Sequence, residues 1–165
     1  AEEERKHWLQ FVVDALRRIF AQNKIVFPEI IAEDILLLPP NKIEEWALAI
    51  ENFETGGNPN HFLYTINNPG AAKYVGQYKA VGKYCTADGR CFARFSTYRD
   101  GFDYLKKILT NAATGMSSVY KPDMTILDFI KKYTEGDSVL NQYNYAISVA
   151  KRLNVSVHTK IRELV

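Results

Sequence analysis

Cysteine is scarce in this 165-residue chain, and both copies lie in one stretch, "CTADGRC". No second pair of ligands stands at a spacing that suits zinc, so neither a metal nor any other cofactor is expected. Histidine is equally sparse. His7, His61 and His158 fall in separate segments, and no Ser-His-Asp or Cys-His arrangement suggests itself. Charge of either sign is nearly balanced at a net +2, too small an excess to argue for nucleic acid or an anionic membrane surface. No apolar run approaches the roughly 20 residues of a membrane span. There is no internal repeat, no low-complexity tract and no signal peptide. The chain starts at Ala1, which is expected of a processed product or of a domain cut from a larger polypeptide or assembly.

What is present is a length sufficient for one domain with a real core. Hydrophobic residues make up 47% and charged residues 24%, as in ordinary globular proteins. Aromatics reach 13%, mostly ten Tyr and nine Phe. Such rings serve as core filling or as stacking surfaces. The "ADG" between Cys85 and Cys91 is a turn signal, so a hairpin tip closed by a disulfide fits the stretch. A loop this short contributes about 2 kcal/mol on the chain-entropy model. Two reduced thiols are the alternative.

Periodicity divides the rest. Residues 1–23 open on "EEER" and carry Trp8, Phe11, Val12, Ala15, Leu16, Ile19 and Phe20 at helical spacing. This stripe suits core packing or contact with another part of a longer polypeptide. A short helix is expected between Pro28 and Pro39-Pro40. Asn41 then reads as N-cap of the helix "KIEEWALAIENFE", with Glu44 in the capping-box position. Residues 55–70 read as loop, and residues 73–95 as a small antiparallel sheet around the cysteine turn. Helices follow over "TYRDGFDYLKKILTNA", over "MTILDFIKKYT" with a Thr125–Asp128 capping-box variant, over the segment capped by Asp137 or Ser138, and briefly over "SVHTKIREL". The fold class is α+β, mainly helical. Residues 1–40 form a helical extension and residues 41–165 the main domain.

One carboxylate stands out of pattern. At about 100° per residue from Ile43, Ala47 falls near about 40°, Ile50 near about 340° and Glu54 near about 20°, inside the apolar sector. Glu44, Glu45 and Asn52 fall on the solvated side, and Glu51 on the boundary. Burial disfavours the charged form of a carboxyl, and so does the negative end of a helix. Both raise its pKa and keep a proton available near neutrality, as a general acid requires. The Gly56-Gly57 pair would end the helix and leave open backbone beside that carboxyl. The alternative is a helix that frays at Phe53 and turns Glu54 to water.

"ENFETGGNPN" resembles the glutamate motif of lytic transglycosylases in the lysozyme-like superfamily, with Thr55 where serine is usual. The "NNPG" of residues 67–70 resembles a phage and bacterial wall-degrading branch, in which the Glu helix is followed by an Asn-Asn-Pro-Gly turn. "FARFSTYRDGFDYLKKIL", "TILDFIKKYT" and "NQYNYAISVAKRLNV" resemble that branch's later strand and helices. The match runs over roughly residues 43–155, and the order and spacing of its pieces are more specific than any piece. Ala71 stands where the branch usually repeats asparagine, and "GAAKYVGQ" only hints at a glutamine signature, with Gln77 as its candidate.

The resemblance implies a lysozyme-like fold and cleavage of the β-1,4 bond between N-acetylmuramic acid and N-acetylglucosamine in peptidoglycan. It also implies a location in the cell envelope, periplasm or outside the cell. Glu54 would protonate the leaving oxygen and then act as base while the muramic acid 6-hydroxyl attacks, giving a 1,6-anhydro product. A hydrolysing muramidase needs a second carboxylate, for which Asp88, Asp100 and Asp103 are candidates, though each also suits a turn or a helix start. A glycan-binding module without activity is a further alternative.

For the groove, Asn67 and Asn68 suit hydrogen bonds to acetamido groups or the turn before Pro69. Tyr74, Tyr78 and Tyr84 alternate with Lys73, Lys79 and Lys83, which suits sugar stacking, sheet packing or, least, an RNA surface. The "YN" of Tyr143-Asn144 resembles a transglycosylase motif, so Tyr143 is expected either to hydrogen-bond Glu54 or to pack in the core. His61 is near enough in sequence to line the cleft.

Overall fold

The computed structural model describes residues 2–23 and 41–165, so the short helix expected before Pro39-Pro40 lies outside the described residues. The chain separates into two compact units, residues 1–40 and residues 41–165. In the first, helix α1 spans Glu2–Gln22. Its stripe differs from expectation: Val13 is buried, with Leu9, Leu16 and Phe20 half-buried, while Trp8, Phe11 and Ile19 are exposed.

The second unit is mainly helical with one two-stranded antiparallel sheet. In order it runs α2 (Ile43–Thr55), α3 (Phe62–Thr65), β1 (Ala80–Cys85), β2 (Cys91–Phe95), α4 (Tyr98–Thr114), α5 (Ile126–Tyr133), α6 (Val139–Leu153) and a final 3-10 turn, Ile161–Leu164. Trp46, Ile50, Leu105, Leu109, Phe129, Tyr145, Val149 and Ile161 form the main core, contributed by α2, α4, α5, α6 and the terminal turn. Trp46 meets Phe129 edge to face at 4.8 Å between centroids. A smaller cluster of Leu63, Ile66 and Phe92 ties α3 to the hairpin. No helix among the described residues is long and apolar enough to cross a membrane.

Local signals act much as their chemistry dictates, with exceptions. Thr125 and Asp128 form a reciprocal capping box on α5. Ser138, not Asp137, caps α6 by accepting from the Asn141 amide. Asn41 accepts from the Ile43 amide at 2.9 Å but lies one residue before the N-cap, Lys42. Glu44 is thereby out of register for a capping box, and pairs with Lys106 at 3.6 Å instead. The hairpin brings Cys85 opposite Cys91, and the two form a disulfide. Within the expected loop 55–70, α3 makes a single turn, capped by His61, whose Nδ1 accepts from the Leu63 amide.

Two close approaches fix the Asn67–Gly70 turn. A Cβ on Gly101 of α4 would lie 1.8 Å from the Asn67 carbonyl oxygen, so only glycine lets the helix pass this close. On the opposite side, the Tyr133 hydroxyl at the end of α5 donates to the Gly70 carbonyl.

Candidate functional site

Helix α2 does not fray at Phe53. It continues through Thr55 and closes on Gly56, whose φ of +60° is left-handed and whose N–H donates to Phe53 O at 3.4 Å. The Thr55 hydroxyl donates to the Glu51 carbonyl at 2.8 Å and accepts from the Gly57 amide at 3.3 Å. This terminus holds Glu54 in the last turn, half-buried, where the orphan carbonyls of the helix make negative charge unfavourable.

Tyr145 of α6 supplies the carboxyl's hydrogen bond. Its ring stacks on Phe53 with centroids 3.8 Å apart, and its hydroxyl donates to Glu54 Oε1 at 2.9 Å. Burial nevertheless dominates and raises the Glu54 pKa from 4.5 to about 7. The Tyr145 hydrogen bond opposes that rise, the charge of Asp137 adds to it, and the charge of Arg90 opposes it.

Glu54 opens onto a cleft of about 810 Å³. One wall comes from the α3 entry, the turn after Gly70 and the hairpin: His61, Phe62, Ala71, Lys73, Arg90 and Phe92. The facing wall is more aromatic, with Tyr104 and Ile108 of α4, Val119, Tyr120 and Tyr133. The lip between α5 and α6 adds Lys132, Thr134, Glu135 and Asp137. Among the described residues no group of three or more His, Cys, Asp or Glu side chains could hold a metal ion. A carboxyl whose pKa is raised to about 7 beside a cleft of this size can donate a proton to a leaving oxygen near neutrality.

No protein-family model, no curated protein and no solved structure matches this chain.

The other expected site residues fall in different places. Asn68 is buried and fully used by backbone: its Nδ2 donates to Ala72 O at 2.9 Å and Ala93 O at 2.8 Å, and its Oδ1 accepts from Ala72 N at 2.9 Å. Asn67 donates its amide to Phe95 O at 3.0 Å and Ser96 O at 3.1 Å, and adopts a φ of +56° that asparagine tolerates well. Both asparagines therefore build the turn and tie it to β2, and neither is among the residues lining the cleft. Gln77 closes its own loop, accepting from Val75 N and donating to Lys73 O, each at 2.9 Å. Tyr78 is exposed and faces the ammonium of Lys107 at 5.8 Å, away from the lining.

Tyr143 and Asn144 point away from Glu54's partner face. The buried line of α6 runs Gln142, Tyr145, Ala146, Val149, Ala150 and Leu153, with Val139, Tyr143 and Asn144 exposed. The hydroxyl expected from Tyr143 is supplied by Tyr145, because the true apolar line is set by the 142/146/149/153 spacing. The three aspartates proposed as second carboxylates are all engaged elsewhere. Asp88 bonds Thr86 and Arg90 within the hairpin turn, and those bonds hold its carboxyl below the usual range. Asp100 pairs with Lys79 at 2.9 Å and accepts from Thr97, and Asp103 pairs with Arg99 and Lys106. Two acidic groups that do line the cleft, Glu135 and Asp137, were hidden in an unremarkable "TEGDS" loop.

Glu51 was also missed. It is 8% exposed, and its two carboxylate oxygens accept from the Tyr64 and Tyr98 hydroxyls, each at 2.8 Å. Its boundary position on the helical wheel was the available signal.

Proposed function

We propose that the 41–165 unit is a lysozyme-like glycosidase that cleaves the β-1,4 bond between N-acetylmuramic acid and N-acetylglucosamine in peptidoglycan, with Glu54 as the acid. The observation that carries the reading is the half-buried Glu54 carboxyl, held by Tyr145 and raised to about 7, at the edge of a cleft large enough for sugar rings. Glu54 donates its proton to the departing glycosidic oxygen. The resulting carboxylate then takes the proton of the muramic acid 6-hydroxyl as it attacks, and a 1,6-anhydro end results. The aromatic wall of Tyr104, Tyr120 and Tyr133 offers rings to the sugar faces. Such an enzyme works in the cell envelope or outside the cell, where the Cys85–Cys91 disulfide persists.

A second reading is favoured by Asp137, which shares the cleft with Glu54 and whose charge acts on it. A carboxylate there would activate water and give a reducing end, as in a muramidase. Digestion of purified sacculi tests both. The expectation is that the protein releases soluble muropeptides with anhydro ends, one water lighter than reducing ends. Glu54→Gln should lower that release by at least about 100-fold while leaving the folded protein intact. Undiminished release by Glu54→Gln would overturn the assignment. Binding of sacculi without release would leave a glycan-binding module.

A further inference from the structure

Two cations on the hairpin wall have no ligand assigned to them in the reading above. The residues after the Asn67–Gly70 turn run alongside β2: Lys73 pairs antiparallel with Phe92, and the Tyr74 amide donates to Cys91 O at 3.0 Å. Residues directly opposite in an antiparallel pair share a face of the sheet, and so do residues two apart on one strand. Lys73 and Phe92 therefore share a face, Arg90 in the turn before β2 lays its guanidinium 5.9 Å from the Phe92 ring centroid, and all three line the cleft that holds Glu54.

Arg90 is anchored at one edge. Its Nε donates to Asp88 Oδ2 at 2.8 Å, and its guanidinium lies 5.9 Å from the Phe92 ring centroid. Its terminal nitrogens carry no hydrogen bond to the described residues. The Lys73 ammonium has no ion-pair partner among them either. Lys132 on the opposite lip differs, because Glu135 takes it at 3.2 Å. The Lys73 charge is thus left unpaired among the described residues, and Arg90, though ion-paired to Asp88 through Nε, keeps its two terminal nitrogens as a planar donor pair for a carboxylate.

A neutral amino-sugar polymer makes no use of such a pair. The muramoyl ring does, because its 3-O side arm is a lactyl group that ends in a carboxylate or carries a stem peptide bearing several. We propose that Lys73 and Arg90 form an anion subsite for a carboxylate on that side arm, an assignment that rests on the glycan reading of the cleft.

Binding to the Glu54→Gln protein, measured calorimetrically, tests this without relying on turnover. Three ligands of equal sugar length are compared: peptide-bearing soluble strands, strands stripped by an amidase so that only the lactyl carboxylate remains, and a neutral chitooligosaccharide. Both anionic strands are expected to bind about tenfold more tightly than the neutral one. Whichever of the two binds better identifies the source of the carboxylate. Lys73→Glu, at an exposed and unpaired position, should erase that advantage while changing chitooligosaccharide binding less than about twofold, and Lys73→Arg should restore it. Arg90→Ala should act in the same direction, but it also frees Asp88 in the turn, so Lys73→Glu is decisive. Equal affinity for all three ligands, or an equal loss on all three in Lys73→Glu, overturns the subsite. A protein that shows the preference yet releases no muropeptide from sacculi keeps the subsite and loses the cleavage reading.

Discussion

Helix α2 carries two inward carboxyls three residues apart, and their surroundings differ in one respect. Glu51 faces α3 and α4, where the hydroxyls of Tyr64 and Tyr98 each occupy one of its oxygens. Glu54 faces the cleft, where Tyr145 occupies only Oε1 and no residue of the described chain donates to the other oxygen. A carboxylate loses several kcal/mol of hydration on burial unless hydrogen bonds replace it. Glu51 has that replacement, and its bonds join α2, α3 and α4 into one frame. Glu54 has half of it: burial raises its pKa to about 7, and its second oxygen stays open to whatever enters the groove. The same residue type on the same helix has both oxygens occupied in one place and one oxygen open to a cleft in the other, and the donors supplied by neighbouring elements make the difference.

Removing both functions separates them most sharply. Glu51→Ala leaves the Tyr64 and Tyr98 hydroxyls without their acceptor and opens a gap at a buried position, and should destabilise the fold by about 2–4 kcal/mol in urea unfolding. Glu54→Gln should do the opposite. The folded-state pKa of Glu54 is raised, so its extra proton is bound by the native state between about pH 4.5 and about 7. Its contribution to stability is fully present below about 4.5 and lost as pH rises through about 7. At pH 8 the buried charge therefore costs the wild type about 3 kcal/mol, as an order of magnitude, and Glu54→Gln should be more stable by up to that amount. Near pH 4 the two proteins should unfold at similar denaturant concentrations. A smaller stability for Glu54→Gln at pH 8 would place the two glutamates in one structural class.

The Tyr145 hydrogen bond is the next lever. It favours the ionised carboxyl, so Tyr145→Phe should move the alkaline limb of the lysis profile above the wild-type value near pH 7. A merely structural tyrosine would lower the rate at every pH without moving the limb. The smallest effect concerns Ala71, which lines the cleft at a φ of +50°. Ala71→Gly relieves a left-handed alanine and should stabilise by up to about 1 kcal/mol, read as a higher urea midpoint.

Much of this was legible in the sequence where a signal is local. The disulfide-closed hairpin tip, the α5 capping box and the Gly56-Gly57 stop are set by adjacent residues. The apolar phase of Glu54 follows from one short helix. What the sequence did not display depends on partners far along the chain. Asn67 and Asn68 carry the same atoms whether they face a sugar or a backbone, and only the return of β2, at Ala93, Phe95 and Ser96, decides. Tyr143 and Tyr145 both sit in an aromatic-rich helix, and its rotation against α2 selects the second. Asp137 enters the cleft because Ser138 takes the cap and leaves it on the lip.

The most direct measurement is a titration of the Glu54 carboxyl itself, followed by carbon-13 NMR with Glu54→Gln as the assignment control. The account predicts a midpoint of about 7. A midpoint near 4.5, the value of an ordinary glutamate, would contradict it and remove the proton on which the cleavage reading depends.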